Sequence, residues 1–169
     1  MIHRTDRWIL GIALVAVACG CALRFIAIDR IGLQGSDETY YTNIAQHWAE
    51  GERVLAIGAD VPLYRPVAYA VYGLAIRVFG FDDHSIKTAN ALIDGLNIVL
   101  VFLLALLLSR RDYRIASAAA VIYALLPFTI LTARTEQTHI LSASCVLAAS
   151  ILLCLALLGA SNRSRTAWA

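Results

Sequence analysis

The sequence is poor in charge. Asp, Glu, Lys and Arg make up only 15% of its 169 residues, hydrophobic residues make up 60%, and the mean hydropathy is +0.70. A water-soluble domain carries about a quarter charged residues, so this composition favours a membrane over an aqueous surface. It has no basic block, and with a net charge of only +2 nucleic acid is excluded as a partner class. Cysteine is sparse. Cys19, Cys21, Cys145 and Cys154 all fall inside apolar runs, and none has zinc-like spacing to a histidine cluster. They read as small apolar filler. A Gly-rich phosphate loop, a Ser/His/Asp set and an HExxH motif are all missing, as are internal repeats and low-complexity segments.

Long apolar runs are what the sequence does have. They fall at about 8–28, 85–108, 115–133 and 138–159. The first is interrupted only by Arg24 and follows Arg4 and Arg7. It is longer than a usual signal-peptide core and no A-x-A site follows, so it reads as an uncleaved signal anchor. Basic residues cluster in three places: Arg4 and Arg7, then Arg110, Arg111 and Arg114, then Arg163 and Arg165. With four spans these share one side, which the positive-inside rule makes cytoplasmic. The expectation is an all-α membrane protein, a single module over 1–169 with about four transmembrane helices. Both termini are cytoplasmic, the 29–84 loop is extracytoplasmic, and the location is the cell inner (plasma) membrane, with membrane lipid as partner.

The long loop is more than a linker. Tyr41, Ile44, Ala45 and Trp48 recur at one face of a helix. Ser36 is a good N-cap and Gly51 a good stop, giving a helix at about 37–50. After Pro62 and Pro66, residues 66–79 read as a second helix, at about 21 Å too short to span. The two are read as amphipathic juxtamembrane helices, with Tyr64, Tyr69 and Tyr72 at the headgroup level.

Several groups are chemical candidates. Asp37 and Glu38 stand together in the first turn of the first loop helix. Such carboxylates serve as a general base or hold a divalent cation; they equally complement the helix dipole. Glu136, beside Arg134, returns to the same side and adds a second acid; the pair also reads as a local ion pair or interfacial anchor. Lys87, Asn90, Asp94 and Asn97 share one face of the second span. Ionisable groups there mark function, or hydrogen bonds between helices. Arg65 and Arg77 suit an anionic lipid phosphate, or are solvated loop arginines. His47 and His84 stand alone.

The run Gly35-Ser36-Asp37-Glu38-Thr39-Tyr40-Tyr41 with Ile44-Ala45, placed just beyond a first span, resembles the GT-C superfamily of membrane glycosyltransferases. The nearer likeness is to its protein O-mannosyltransferase and lipid A aminoarabinose transferase branch. Arg65-Pro66-Val67-Ala68-Tyr69, Phe79-Gly80, Lys87 with Asn90, and Pro127 before Arg134 and Glu136 continue the pattern in order. The resemblance implies transfer of a sugar from a polyprenyl-phosphate-linked donor to an extracytoplasmic acceptor. Asp37 would be the base or metal-site carboxylate, Glu38 its support and Glu136 the second acid. Tyr40, Arg65, Lys87 and Arg134 would bind substrate, and Asp37 and Glu136 would hold a divalent metal cation. Members of that family are longer, so the chain is expected to be an N-terminal portion that works with a missing C-terminal part or a further membrane subunit. Two other expectations stand beside this one: a non-catalytic scaffold or polyprenyl-lipid-binding protein, and a small transporter component centred on Asp94.

Overall fold

The computed structural model describes residues 4–26, 28, 36–51, 66–135 and 139–166, and within these the side chains of all but 4–7, 36–41, 66, 83 and 159–166. The described residues form seven helices and no strand: α1 (Arg4–Phe25), α2 (Ser36–Glu50), α3 (Pro66–Phe79), α4 (Asp83–Leu108), α5 (Tyr113–Leu125), α6 (Pro127–Ala133) and α7 (His139–Thr166). Three of them, α1, α4 and α7, are long and apolar enough to cross a membrane. A fourth crossing exists if α5 and α6, bent by 57° at Leu126, count as one span.

The bend has a chemical cause. Pro127 has no N–H, so Tyr123 O loses its partner in a straight helix and keeps only a 3.4 Å bond from the Leu126 N–H. The Thr129 hydroxyl is within hydrogen-bond distance of Tyr123 O at 2.8 Å and Leu126 O at 2.9 Å. A hydroxyl side chain thus replaces what the helix lost, the usual repair for a broken helix away from water.

Other ends are closed locally. Asp82 caps α4, accepting from the His84 N–H at 3.1 Å. Asp112 caps α5, accepting from the Arg114 N–H at 2.9 Å. Gly51 and Gly80, with φ of 81° and 94°, end α2 and α3 in the left-handed conformation glycine tolerates best.

The helix α4 is the hub. It packs on α5 and α7, and more lightly on α1; α1 lies along α5, and a hairpin of α2 and α3 docks on the first turns of α4. Ala45, Ala68, Tyr72, Ala75, Ile76, Ile86 and Ala89 form the core under that hairpin. Of the predicted face, Ile44 and Ala45 are buried, with Thr42 beside them and Ala49 partly so, whereas Trp48 is exposed. Gly73 marks the close approach of α2 and α3: a Cβ there would lie 3.1 Å from Ala45 O and 3.3 Å from Trp48 Cβ. The helices approach over the glycine, and the small residues of α2 face it. Tyr69 and Tyr72, expected at the headgroups, are instead buried.

The distribution of polarity is inverted relative to a soluble protein. On α4, Lys87, Asn90, Asp94 and Asn97 are buried, while Leu92, Leu96, Val99 and Leu103, on the opposite face, are exposed. Hydrocarbon surroundings reverse the soluble rule in this way. The apolar helices and this inversion are compatible with a multi-pass membrane protein.

At the crossing of α1 and α5 the backbones nearly touch. A Cβ on Gly20 would fall 2.5 Å from Ala124 O. Gly20→Leu is expected to destabilise the bundle by about 2 kcal/mol or more through overpacking. Gly11→Leu, where nothing lies within 4 Å, should leave the thermal midpoint in detergent unchanged.

Candidate functional site

The polar stripe of α4 is the organising feature of the interior. Asp94, near the helix midpoint, is 1% exposed. Its Oδ2 accepts from Arg24 Nε of α1 at 2.7 Å, a fully buried ion pair. Its Oδ1 accepts from the Tyr123 hydroxyl of α5 at 2.6 Å and from Asn97 Nδ2 at 3.4 Å. Both carboxylate oxygens are therefore engaged. Arg24 is equally well held. Its Nη1 donates to Gly20 O at 2.7 Å and Ala124 O at 2.9 Å, and its Nη2 to Thr129 Oγ1 at 3.3 Å. Ala124 O is another carbonyl left over at the α5–α6 break, so the guanidinium completes the repair begun by Thr129.

The network continues to both sides. Ser144 Oγ of α7 lies 2.6 Å from Asn97 Oδ1, and Asn97 Nδ2 donates to Ile140 O at 3.4 Å. One turn toward the start of α4, Asn90 Oδ1 accepts from the Tyr72 hydroxyl at 2.8 Å and Asn90 Nδ2 donates to Thr135 O at 2.7 Å. Asn90 thus ties α3 and the turn after α6 to the same end of α4. Lys87, one further turn along, is 2% exposed; it does not reach out to the surroundings as a lysine near a helix end commonly does.

The remaining candidates are distributed as follows. Asp37, Glu38 and Tyr40 lie in the first turns of α2, and their side chains are outside the described set. Ser36 is the first helical residue. Arg134 is half-buried after α6. Arg65 and Glu136 lie outside the described residues, as does Tyr64. Arg77, read as a phosphate ligand or a solvated loop arginine, closes α2: its Nε donates to Ala49 O at 2.6 Å and its Nη2 to Trp48 O at 3.4 Å. Orphan carbonyls at a helix C-terminus attract a guanidinium on both hydrogen-bonding and dipole grounds. The four cysteines are free. Among the described residues no three His, Cys, Asp or Glu come together as a metal site; Asp37 and Glu136 are beyond that test.

Arg24 had no functional or structural role in the reading of the sequence, although the signal was present. Spans one and two each carry one deep charge, and the charges are opposite in sign. Comparison with protein-family profiles, curated proteins and solved structures finds no match to this chain.

Removing one member of a buried ion pair costs about 3–5 kcal/mol because it strands the other charge, whereas an apolar replacement of both is far better tolerated. Arg24→Met and Asp94→Leu are each expected to lower the thermal midpoint sharply. The double variant should recover part of the loss, with the Tyr123 hydroxyl and Ala124 O still short of a partner. A double-mutant cycle with no coupling between the two positions would contradict the pairing.

Proposed function

We propose that the chain is the N-terminal module of a GT-C-type glycosyltransferase. It would act at the outer face of the cell inner membrane, moving a sugar from a polyprenyl-phosphate-linked donor to an acceptor. One observation carries the reading. The helix that opens with Asp37-Glu38 is bound through α3 to the end of α4 where Asn90 accepts from the Tyr72 hydroxyl and donates to Thr135 O. The helix that carries Asp37-Glu38 and Thr135, the residue before Glu136 in the sequence, are thereby tied to one end of α4.

In this proposal the bundle has about four spans, α5 and α6 forming one broken span, with the termini in the cytoplasm. The α2–α3 hairpin is juxtamembrane. Val67, Leu74 and Val78 recur along the exposed side of α3, and Phe79 and Phe81 extend the apolar surface past its end, which suits a helix lying in the interface.

Asp37 accepts the proton of the acceptor hydroxyl as that oxygen attacks the sugar carbon. Glu38 holds Asp37 in place. The bond to the lipid phosphate breaks, negative charge collects on the phosphate oxygens, and Arg65, Lys87 and Arg134 supply positive charge at that end. Tyr40 contributes to sugar binding. A divalent cation held by Asp37 and Glu136 would neutralise part of the leaving phosphate.

A second reading, a non-catalytic scaffold or polyprenyl-lipid-binding protein, draws on a different observation. Asn90, Asp94 and Asn97 are all engaged in bonds between helices, which serves assembly without any reaction. A transporter site at Asp94 has less support, since both of its oxygens are occupied by protein donors.

Release of polyprenyl phosphate from polyprenyl-phosphate-linked sugars, followed in membranes containing the chain, separates these readings. Asp37→Asn is expected to lower release at least about 100-fold, the low end of general-base effects, without altering thermal stability. Release that persists at full rate in Asp37→Asn refutes the enzymatic proposal. Binding of the lipid with no turnover in the parent chain supports the scaffold reading.

A further inference from the structure

The bundle is tight at the Asp94 end and open at the other. The helix α1 lies along α5 and packs more lightly on α4, and an apolar groove of about 220 Å³ opens among the three. Leu14 and Val17 of α1 form one wall, Val99 and Phe102 of α4 the other, and Ser117 and Ala120 of α5 the floor. Leu14 and Val99 are exposed, so the groove opens sideways, out of the bundle. Its volume exceeds the roughly 150 Å³ at which a dry apolar cavity already takes up a small hydrocarbon.

The groove lies in the half of the bundle next to the α4–α5 turn, and that turn is unusual. Arg110 and Arg111 both have positive φ, 56° and 72°. Their N–H groups close α4 on Leu107 O at 3.4 Å and Leu106 O at 2.8 Å. Glycine would do this without strain, so the turn carries two arginines against its own conformational preference. Strain of this kind clusters where a ligand is bound. Arg114 stands three residues before Ser117 on the same side of α5. Three exposed arginines thus follow the groove along the helices, Arg114 one turn from Ser117 and Arg110 about 12 Å along α4 from Phe102.

We propose that the groove and this turn form one site for an anionic phospholipid. One acyl chain lies between α1 and α4, and the phosphate meets Arg110, Arg111 and Arg114. Guanidinium groups pair with phosphate by charge-assisted, often bidentate hydrogen bonds, and basic clusters at the end of a span recruit anionic headgroups. The site rests on the membrane reading of the chain. It is independent of sugar transfer, and it sits at the opposite end of α4 from Asn90 and α2.

The test uses the purified chain in nanodiscs of phosphatidylcholine containing a minority of phosphatidylglycerol, with native mass spectrometry of the lipid that stays bound after extraction. Retention of phosphatidylglycerol is expected to exceed that of phosphatidylcholine at least ten-fold. The double variant Arg110→Gly/Arg111→Gly should abolish the preference while keeping or raising the thermal midpoint in pure phosphatidylcholine, because glycine suits both positions. Val99→Trp, which fills the groove, should reduce retention of either lipid. Equal retention by the parent chain, or an unchanged preference in the glycine variant, overturns the proposal. So does competition by glycerol phosphate as effective as by intact lipid, which would make this a free-phosphate site. A lipid-insensitive dimer with a second copy seated in the groove would also overturn it. None of these outcomes bears on Asp37, so failure here and failure of the sugar-transfer reading are distinguishable.

Discussion

The guanidinium of Arg24 is the group on which the rest of the bundle depends. A positive charge deep in an apolar assembly persists only when paired and hydrogen-bonded. Arg24 is both. Asp94 supplies the counter-charge from α4, Gly20 O and Ala124 O accept from one nitrogen, and Thr129 sits at the other. Each of these partners requires something of its own helix. Ala124 O is available because Pro127 interrupts α5. The helices are near enough because residue 20 is glycine, where even a Cβ would meet Ala124 at 2.5 Å. The proline break, the glycine crossing and the ion pair are one device in which each component would be destabilising without the others.

That device fixes the axial register of α1, α4, α5 and α6, and α4 carries the register onward. Asn97 passes it to α7 through Ser144 and Ile140 O, and Asn90 to α3 and the turn at Thr135. The stripe that reads in the sequence as a functional face is thus chiefly a set of struts. A hydrogen bond between helices in hydrocarbon contributes roughly 0.6–2 kcal/mol, so no single strut dominates, and their value lies in specifying which helix meets which at what height. A first turn of α2 bearing two adjacent acids is carried on this frame. A reaction between groups supplied by separate segments needs that kind of positional rigidity.

Much of this was legible in the residues because it rests on local or compositional rules. The end of α2 and the start of α3 follow from Gly51 and Pro66, and the spans follow from hydropathy. What was not legible depended on partners distant in sequence. Tyr72 looks like an interfacial tyrosine until its hydroxyl is found on Asn90, eighteen positions away. Arg77 reads as an arginine for phosphate or water, and its role in closing α2 shows only beside Ala49, twenty-eight positions away. Arg24 looks like a flaw near the end of a span until Asp94, seventy positions away, is found beside it. The side chains of Asp37 and Glu38 lie outside what the structure describes, so their chemistry still rests on the pattern of residues around them.

The two ends of the bundle are held by different physics. The bonds of Arg24, Asp94, Asn90 and Asn97 all lie in the half that includes the α2–α3 hairpin. In the other half, α1, α4 and α7 meet their surroundings chiefly with leucine, valine and isoleucine, and α7 is apolar all round from Ile151 to Leu158. In a bilayer such contacts gain little from burial, because lipid tails are as apolar as the side chains they would replace. Hydrocarbon therefore competes on nearly equal terms for the space between α1 and α4 there, while at the Asp94 end it cannot satisfy the polar groups and is excluded. The groove opens in the half where, among the described residues, no side-chain hydrogen bond joins α1 to α4. An assembly built in this way keeps one end rigid for polar chemistry and leaves the other adaptable to the lipid around it.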